Sequence, residues 1–571
     1  MPLTPDMRRA IDQIRDYLFG GGYPDPVGNA EQLSFLFFFY LVEGIDAENR
    51  ARARFLKKPY TSLFDGSWDL KNPLNAQAAA AGLAVQEARG ADATVLGTAS
   101  TIPRDRLCWS IWAKGLAGEA LVRFVRDEVF AFFAELGRGT AHNFMAGARL
   151  AIDEPTVLTQ VVNLVDGLRL DQADADTKGD LFEHVLRQIR QAGELGQFRT
   201  PRHVIRAIVE MIDPKVGETI YDPAAGTAGF LVAAYNHIRL ANSSPGAIAT
   251  AEVDGKPQRR GLGDRLSSAQ ASALGSATFF GNDVDPKMVR LATMNLTLRG
   301  LPAVRIQLRN VLTTTQDAER KAELGLPADG FHVILANPPF SGRVDRDRIV
   351  EDVKVGSTTA TELLFLKYML DSLRPPRAGD PGSGRRRGVI VPEGVLFGST
   401  GAHRELRRQL VENHRVEAVL SLPGGVFQPY SGVKTSVLFF RKGGPGIRPT
   451  ERVLFLHADA DGYKLDANHD TPIEADDLPA LAQVYARRDA AWDRWAARDP
   501  ASEWRENWWF ADAAALRAND FNLSAGRYRP MSRAQVEHRD PRELLDELAA
   551  IEAEIAEEVE ALRVALGERA A

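Results

Sequence analysis

The chain has 571 residues, of which 44% are hydrophobic, 26% charged and 8% aromatic. That is the balance of a soluble globular protein of two or three domains, and it excludes wholesale disorder, collagen-like repeats and a membrane-spanning bundle. The net charge of −6 falls wholly within residues 541–571, where nine acids face three arginines, so the rest lacks the basic excess of a protein that grips nucleic acid unaided.

In chain order, Met1 to Tyr17 is polar and periodic, unlike a secretory leader. Leu33 to Val42 reads LSFLFFFYLV, too short for the roughly 20 residues that span a bilayer core, and predicts a buried helix. Helix-like patterns such as Ala120–Leu136 continue, so 1–165 is expected to be a helical domain without a catalytic motif. The lone Cys108 permits no intrachain disulfide and no Cys-rich zinc site, fits a reducing, cytoplasmic setting, and reads as a buried small hydrophobe.

From 166 the pattern changes. Strand candidates at Glu218–Tyr221, Thr278–Gly281, Val304–Leu308, His332–Ala336, Gly388–Val391, Val416–Ser421 and Thr435–Arg441 alternate with helical stretches such as Arg202–Ile212, Lys287–Arg299, Thr361–Leu373 and His403–Asn413. This alternation predicts an α/β, doubly wound, Rossmann-like domain over 166–470. The Gly/Pro/Ser-rich stretches 241–277 and 374–387 read as surface insertions, and Arg385–Arg387 as part of a solvated loop, with phosphate contact as the alternative. Residues 471–571 read as a helical C-terminal region. There Leu544, Leu548, Ile551, Ile555, Val559, Leu562 and Leu566 form one apolar stripe on an acidic helix, suited equally to packing on its own chain or on another subunit.

Three motifs carry chemistry. DPAAGTAGF at 222–230 follows a strand candidate and opens a helix, and its small residues let the backbone approach a ligand. It lacks the G-x-G-x-x-G spacing of a dinucleotide site. NDVDP at 282–286 places Asp283 at a strand's carboxyl end, where it would accept hydrogen bonds from ribose hydroxyls, and Asp285 at a helix cap before Pro286. The sequence Asn337-Pro338-Pro339-Phe340 follows another strand. An exocyclic amine such as N6 of adenine is a poor nucleophile because its lone pair spreads into the ring. Two oxygen acceptors, from the Asn337 amide and the Pro338 carbonyl, would favour a more tetrahedral nitrogen, while Phe340 would stack on an extruded base.

Together these segments resemble the adenine-N6 DNA methyltransferases, and more closely the modification subunits of type I restriction-modification systems. Gly196-Gln197-Phe198-Arg199-Thr200-Pro201-Arg202, Pro392–Phe397 and Val433–Phe440 fit the same family in the same order. The resemblance implies S-adenosyl-L-methionine as cofactor, contacted by Gln197, Phe198, Arg199, Thr200, Pro201, Arg202, Asp222, Gly226, Thr227, Ala228, Gly229 and Asp283. Asn310, where relatives place Asp, would lie beside the cofactor's adenine. Asn337, Pro338, Pro339 and Phe340 would form the catalytic motif. It further implies double-stranded DNA as substrate, a separate specificity subunit docked on the C-terminal helix, a second copy of the chain in an M2S1 complex, a restriction/translocase subunit, a cytoplasmic location and no metal.

Cytosine-C5 methylation is excluded because Cys108 lies far from every motif. Cytosine-N4 methylation meets the same chemical need, but Asn before the prolines resembles the adenine group. The alternatives are methylation of RNA or of a protein glutamine, and a non-catalytic scaffold.

Overall fold

The computed structural model describes residues 5–69, 101–136, 145–191, 200–376, 386–530 and parts of 545–559, apart from isolated positions within those ranges. Its centre is a nine-stranded sheet. In chain order the strands are β1 (Ile220–Asp222), β2 (Phe279–Asp283), β3 (Arg305–Leu308), β4 (Val333–Ala336), β5 (Arg386–Pro392), β6 (Arg415–Ser421), β7 (Thr435–Arg441), β8 (Arg452–His457) and β9 (Trp508–Asp512), and in space they run β9-β8-β6-β7-β5-β4-β1-β2-β3. β3, β2, β1, β4 and β5 are mutually parallel, and β7 inserts antiparallel between β5 and β6. β4 is fully buried, as a parallel strand covered on both faces must be, which is why it reads as the unbroken apolar run VILA. Chain order reverses direction between β1 and β4, so ligands are expected in the crevice outside the carboxyl ends of those two strands.

The helical module is built from α1 (Pro5–Gly20), α2 (Pro26–Phe55), α3 (Pro155–Gly167) and α4 (Ala175–Gln191), with shorter turns between. The apolar run 33–42 lies inside α2, where Phe35 and Phe39 meet Phe130 edge-on at ring centroids of 5.1 and 5.2 Å. The sheet helices include α5 (Arg202–Ile212), α6 (Gly229–Ala241) and α7 (Pro286–Thr297). Asp285 accepts the Lys287 N–H at 2.8 Å and Pro286 takes the first helical position, the start signal its sequence carries. α7 serves both cores: Ala292 and Leu296 pack under the sheet, while Met288, Leu291 and Met294, with Leu298 just past its end, pack into the helical module.

Two boundaries expected from sequence fall inside packed cores. The helical core continues past 165 through Leu168, Leu170, Leu181, Phe182, Val185 and Leu186. The sheet continues past 470, because β9 pairs antiparallel with β8 and buries Trp508, Trp509 and Phe510. Both misreadings came from composition, which does not reveal which core an amphipathic segment joins. The insertion at 241–277 is also more ordered than expected: Ile248–Val253 and Lys256–Gly261 form a hairpin, followed by the helix Ser268–Ser276. The arginine run differs from both of its readings. Arg386 pairs with Glu218 at 2.7 Å, and Arg387, wholly buried, lies 4.0 Å from the centroid of Phe440; Arg385 falls outside the described residues.

Candidate active site

A cavity of about 770 Å³ opens at the carboxyl edge of β1 and β4. Of the expected cofactor residues, Thr200, Arg202, Asp222, Gly226, Thr227 and Gly229 line it, and Asn337 reaches it from the end of β4. The β1 loop is built tightly. Gly226 has φ +52° and Ala228 φ +65°, and Ala228 is the N-cap of α6 with no side-chain hydrogen bond to the first turn. The glycine suits that conformation because it carries no Cβ. First-turn residues Gly229 and Phe230 line the cavity, so the positive end of the helix lies at its wall.

Asp222 is wholly buried and accepts the Ala224 N–H at 3.0 Å. Burial pushes its carboxyl up to about 8; the Ala224 bond opposes this and the nearby Asp283 carboxylate adds to it. Asp283 accepts N–H groups from Gly226 at 2.9 Å and Asp285 at 3.0 Å, and burial raises its pKa as well. Those two bonds make Asp283 a brace for the β1 loop.

The Asn337 loop is held from below. Its side-chain oxygen is buried, and Thr361, at the start of the helix Thr361–Ser372, donates to the Pro339 carbonyl at 3.2 Å and accepts the Gly342 N–H at 3.1 Å. Phe340 is buried against Phe427, edge-to-face at 5.9 Å, and does not line the cavity. Nor do Pro338, Pro339, Pro201, Ala228, Asp283 or Asn310. Asn310 instead accepts the Leu312 N–H at 3.0 Å, closing its own turn. Gln197, Phe198 and Arg199 lie outside the described residues.

The opposite wall carries residues that no sequence motif marked. Glu183 on α4 receives Arg202 at 2.8 Å and the buried Arg299 at 3.0 Å. Arg299 in turn donates to Asn295, and the Asn295 amide donates to the Thr227 carbonyl at 2.7 Å. One carboxylate of the helical module is thereby tied both to Arg202 and, through Arg299 and Asn295, to the β1 loop. A Cβ on Gly179 would lie 2.7 Å from Arg299 Cζ, which explains a glycine inside α4 and was the one signal the sequence offered for this wall. The insertion hairpin closes the same side: Arg260 forms a two-pronged pair with Asp180 at 2.5 and 3.0 Å, and Lys256 meets Asp476 at 2.7 Å. Cys108 lies elsewhere, and burial pushes its thiol up to about 12, with no thiolate at neutral pH.

Residues 173–537 match the model of the family described as N-6 DNA Methylase. The chain belongs to this family. It is 30% identical over 483 residues to the Escherichia coli type I restriction enzyme EcoEI methylase subunit, covering 81% of this chain and 86% of that one. Two solved structures share the fold: a chain from work on complex assembly and conformational transition of the type I R-M system, with a TM-score of 0.65, 24% identity and 100% of both chains covered, and the type I methyltransferase subunit of Streptococcus thermophilus, with a TM-score of 0.60, 17% identity and 92% and 99% covered. Membership makes the chain a DNA adenine-N6 methyltransferase of the type I modification-subunit class. Among the described residues no helix is long and apolar enough to cross a membrane.

Proposed function

We propose that the cavity at the β1–β4 crevice holds S-adenosyl-L-methionine beside an adenine extruded from double-stranded DNA, and that Asn337 and Pro338 direct the N6 amine. The observation that carries this reading is that Asn337 and the Gly226–Thr227 loop face one cavity from adjacent parallel strands on either side of the order reversal. The residues fit the cofactor: backbone at positive φ gives room beside Gly226, the α6 N-terminus suits a carboxylate, and the Asp222 carboxyl, which burial keeps protonated up to about 8, would ionise beside a cationic group. When bound, the cofactor supplies an electrophilic methyl on a sulfonium. The Asn337 amide oxygen and the Pro338 carbonyl accept the two amine hydrogens and localise the nitrogen lone pair along the line of attack. The Thr361 bonds to Pro339 and Gly342 hold that pair of acceptors in place. Phe340 has to swing from Phe427 to stack on the base, a movement that couples base capture to loop rearrangement.

The C-terminal stripe supports docking on a specificity subunit. Leu548, Ile551, Ile555 and Val559 lie in helical backbone and are 57, 54, 56 and 44% exposed, so they are not packed on the described part of their own chain. Leu544, Leu562 and Leu566 lie outside the described residues. An M2S1 assembly in the cytoplasm, joined by a restriction subunit, completes the proposal.

The test is reconstitution with the specificity subunit, labelled cofactor and DNA, with methylated bases mapped. N6-methyladenine at fixed sites, lost with Asn337→Ala and with the pair Ile551→Asp and Ile555→Asp, is expected. Full sequence-specific methylation by the chain alone would overturn the partner claim.

A further inference from the structure

At the edge of the cavity, which His203 helps to line, lies a buried cluster of chemically able side chains. His203, in the first turn of α5, and His469, in the loop between the strands Asp461–Tyr463 and Pro472–Asp476, converge on Asp461. His203 Nε2 stands 2.8 Å and His469 Nε2 2.9 Å from the same carboxylate oxygen, Asp461 Oδ2. Asp461 is fully buried and His469 is 4% exposed. The three ligand atoms lie within 4.8 Å of one another.

His469 decides how the cluster is read. Its Nδ1 is 3.2 Å from the Val426 carbonyl and its Nε2 is 3.1 Å from Asp461 Oδ1; both neighbours only accept hydrogen bonds. A neutral imidazole has one N–H. If Nδ1 gives it to the carbonyl, the usual outer bond of a metal-bound histidine, the Nε2 lone pair points at a carboxylate, and a cation between them makes that contact attractive. His203 approaches the same oxygen with its ring stacked on Tyr463 at 4.3 Å.

We propose that His203, Asp461 and His469 form a three-ligand site for a divalent transition-metal ion, Zn²⁺ first, with water as fourth ligand. Two imidazoles with one carboxylate favour Zn²⁺ over Mg²⁺ or Ca²⁺, which take oxygen ligands. Ligand atoms around tetrahedral zinc stand roughly 3.3–3.5 Å apart, given bonds of about 2.0–2.2 Å, so the two shortest separations would open by about half an ångström. The site is structural. It staples the segment entering α5, beside Thr200 and Arg202 of the cavity wall, to the C-terminal hairpin and, through the Val426 carbonyl, to the loop bearing Phe427. Lys256, over the Tyr463 ring at 5.0 Å, is neutralised by Asp476, which limits its repulsion of the ion.

The inference does not rest on methyl transfer and is tested without it. Tag-free full-length chain is dialysed against Zn²⁺, washed, and its metal content measured alongside that of His469→Ala and Asp461→Asn, with circular dichroism as the check on folding. One Zn²⁺ per chain is expected. Affinity should fall more than about 100-fold in either variant, beyond the loss caused by an outer partner. Co²⁺ in place of Zn²⁺ should give visible d–d absorption that vanishes in His469→Ala. Metal content no higher in the native chain than in folded His469→Ala would overturn the site, as would ¹⁵N shifts showing His469 protonated at both nitrogens in the Zn²⁺-treated chain.

Discussion

The cavity has two walls of different origin. One is the edge of a parallel sheet, where β1 and β4 end in loops that each carry their own sequence signature, DPAAGTAGF and NPPF. The other is assembled from three distant segments: Asp180 and Glu183 on α4, Asn295 and Arg299 on and just after α7, and Lys256 and Arg260 on the insertion hairpin. The first wall, in the function proposed above, would present acceptors and backbone to the reacting groups. The second consists of ion pairs that satisfy one another and fix the position of the first. The sequence-marked loops thus meet where chain order reverses, and their support is borrowed from the helical module.

The two walls differ most at Asn337. Asn337→Ala should lower kcat by about 10²–10³, the scale of losing one preorganised polar contact to the reacting group, with cofactor affinity within about twofold of the native value. Glu183→Gln tests the other wall. It leaves Arg299 buried with half its partners and should cost about 2–3 kcal/mol, below the 3–5 kcal/mol of a fully buried pair because Glu183 retains some exposure. Cofactor KM should rise several-fold while kcat changes little, read in steady-state kinetics and by thermal melting. An equal loss in kcat would put Glu183 among the groups that act on the transition state.

Gly179→Ala sharpens the same point on a smaller scale. The added methyl meets Arg299 Cζ at 2.7 Å, and overpacking of 1–3 kcal/mol, less about 1 kcal/mol gained in helix propensity, leaves a net loss of about 1 kcal/mol. A net gain in melting temperature would mean that Arg299 moves aside freely.

The smallest effect concerns protons. The folded chain keeps a proton on Asp222 up to about 8, whereas its ordinary value is 3.8, so folding binds the extra proton between those limits. In the unliganded chain this group therefore costs stability progressively as pH rises through that window. A cationic cofactor reverses the preference, so its affinity should rise, by less than about tenfold, as pH passes 8. Calorimetric titration at pH 7 and pH 9 checks this, and Asp222→Asn should flatten the dependence.

Sequence reading reached the sheet-edge wall because each of its parts is local. The run VILA followed by NPPF specifies a buried strand and a stiff turn within eight residues, and Asp285-Pro286 specifies a helix start within two. It missed β8 and β9. Arg452–His457 is a short unbroken apolar run, VLFL, with no motif beside it, and Trp508–Asp512 sits in an Ala- and Trp-rich stretch whose composition suggests helix. It also assigned Phe340 and Asn310 to the cavity from their place in a motif, whereas packing against Phe427 and the bond to Leu312 turn them elsewhere.

Short-range rules thus determined the strand and helix alternation, the order of the loops, the tight turn at Gly226 and the stiff pair of acceptors after β4, because backbone preference and local spacing act within a few residues. Only the tertiary structure decided that Glu183 braces Thr227 through Arg299 and Asn295, that 248–261 closes a cavity, and that two histidines 266 positions apart share Asp461. Those arrangements depend on which surfaces meet when the two cores close around α7, and no one-dimensional pattern encodes that meeting.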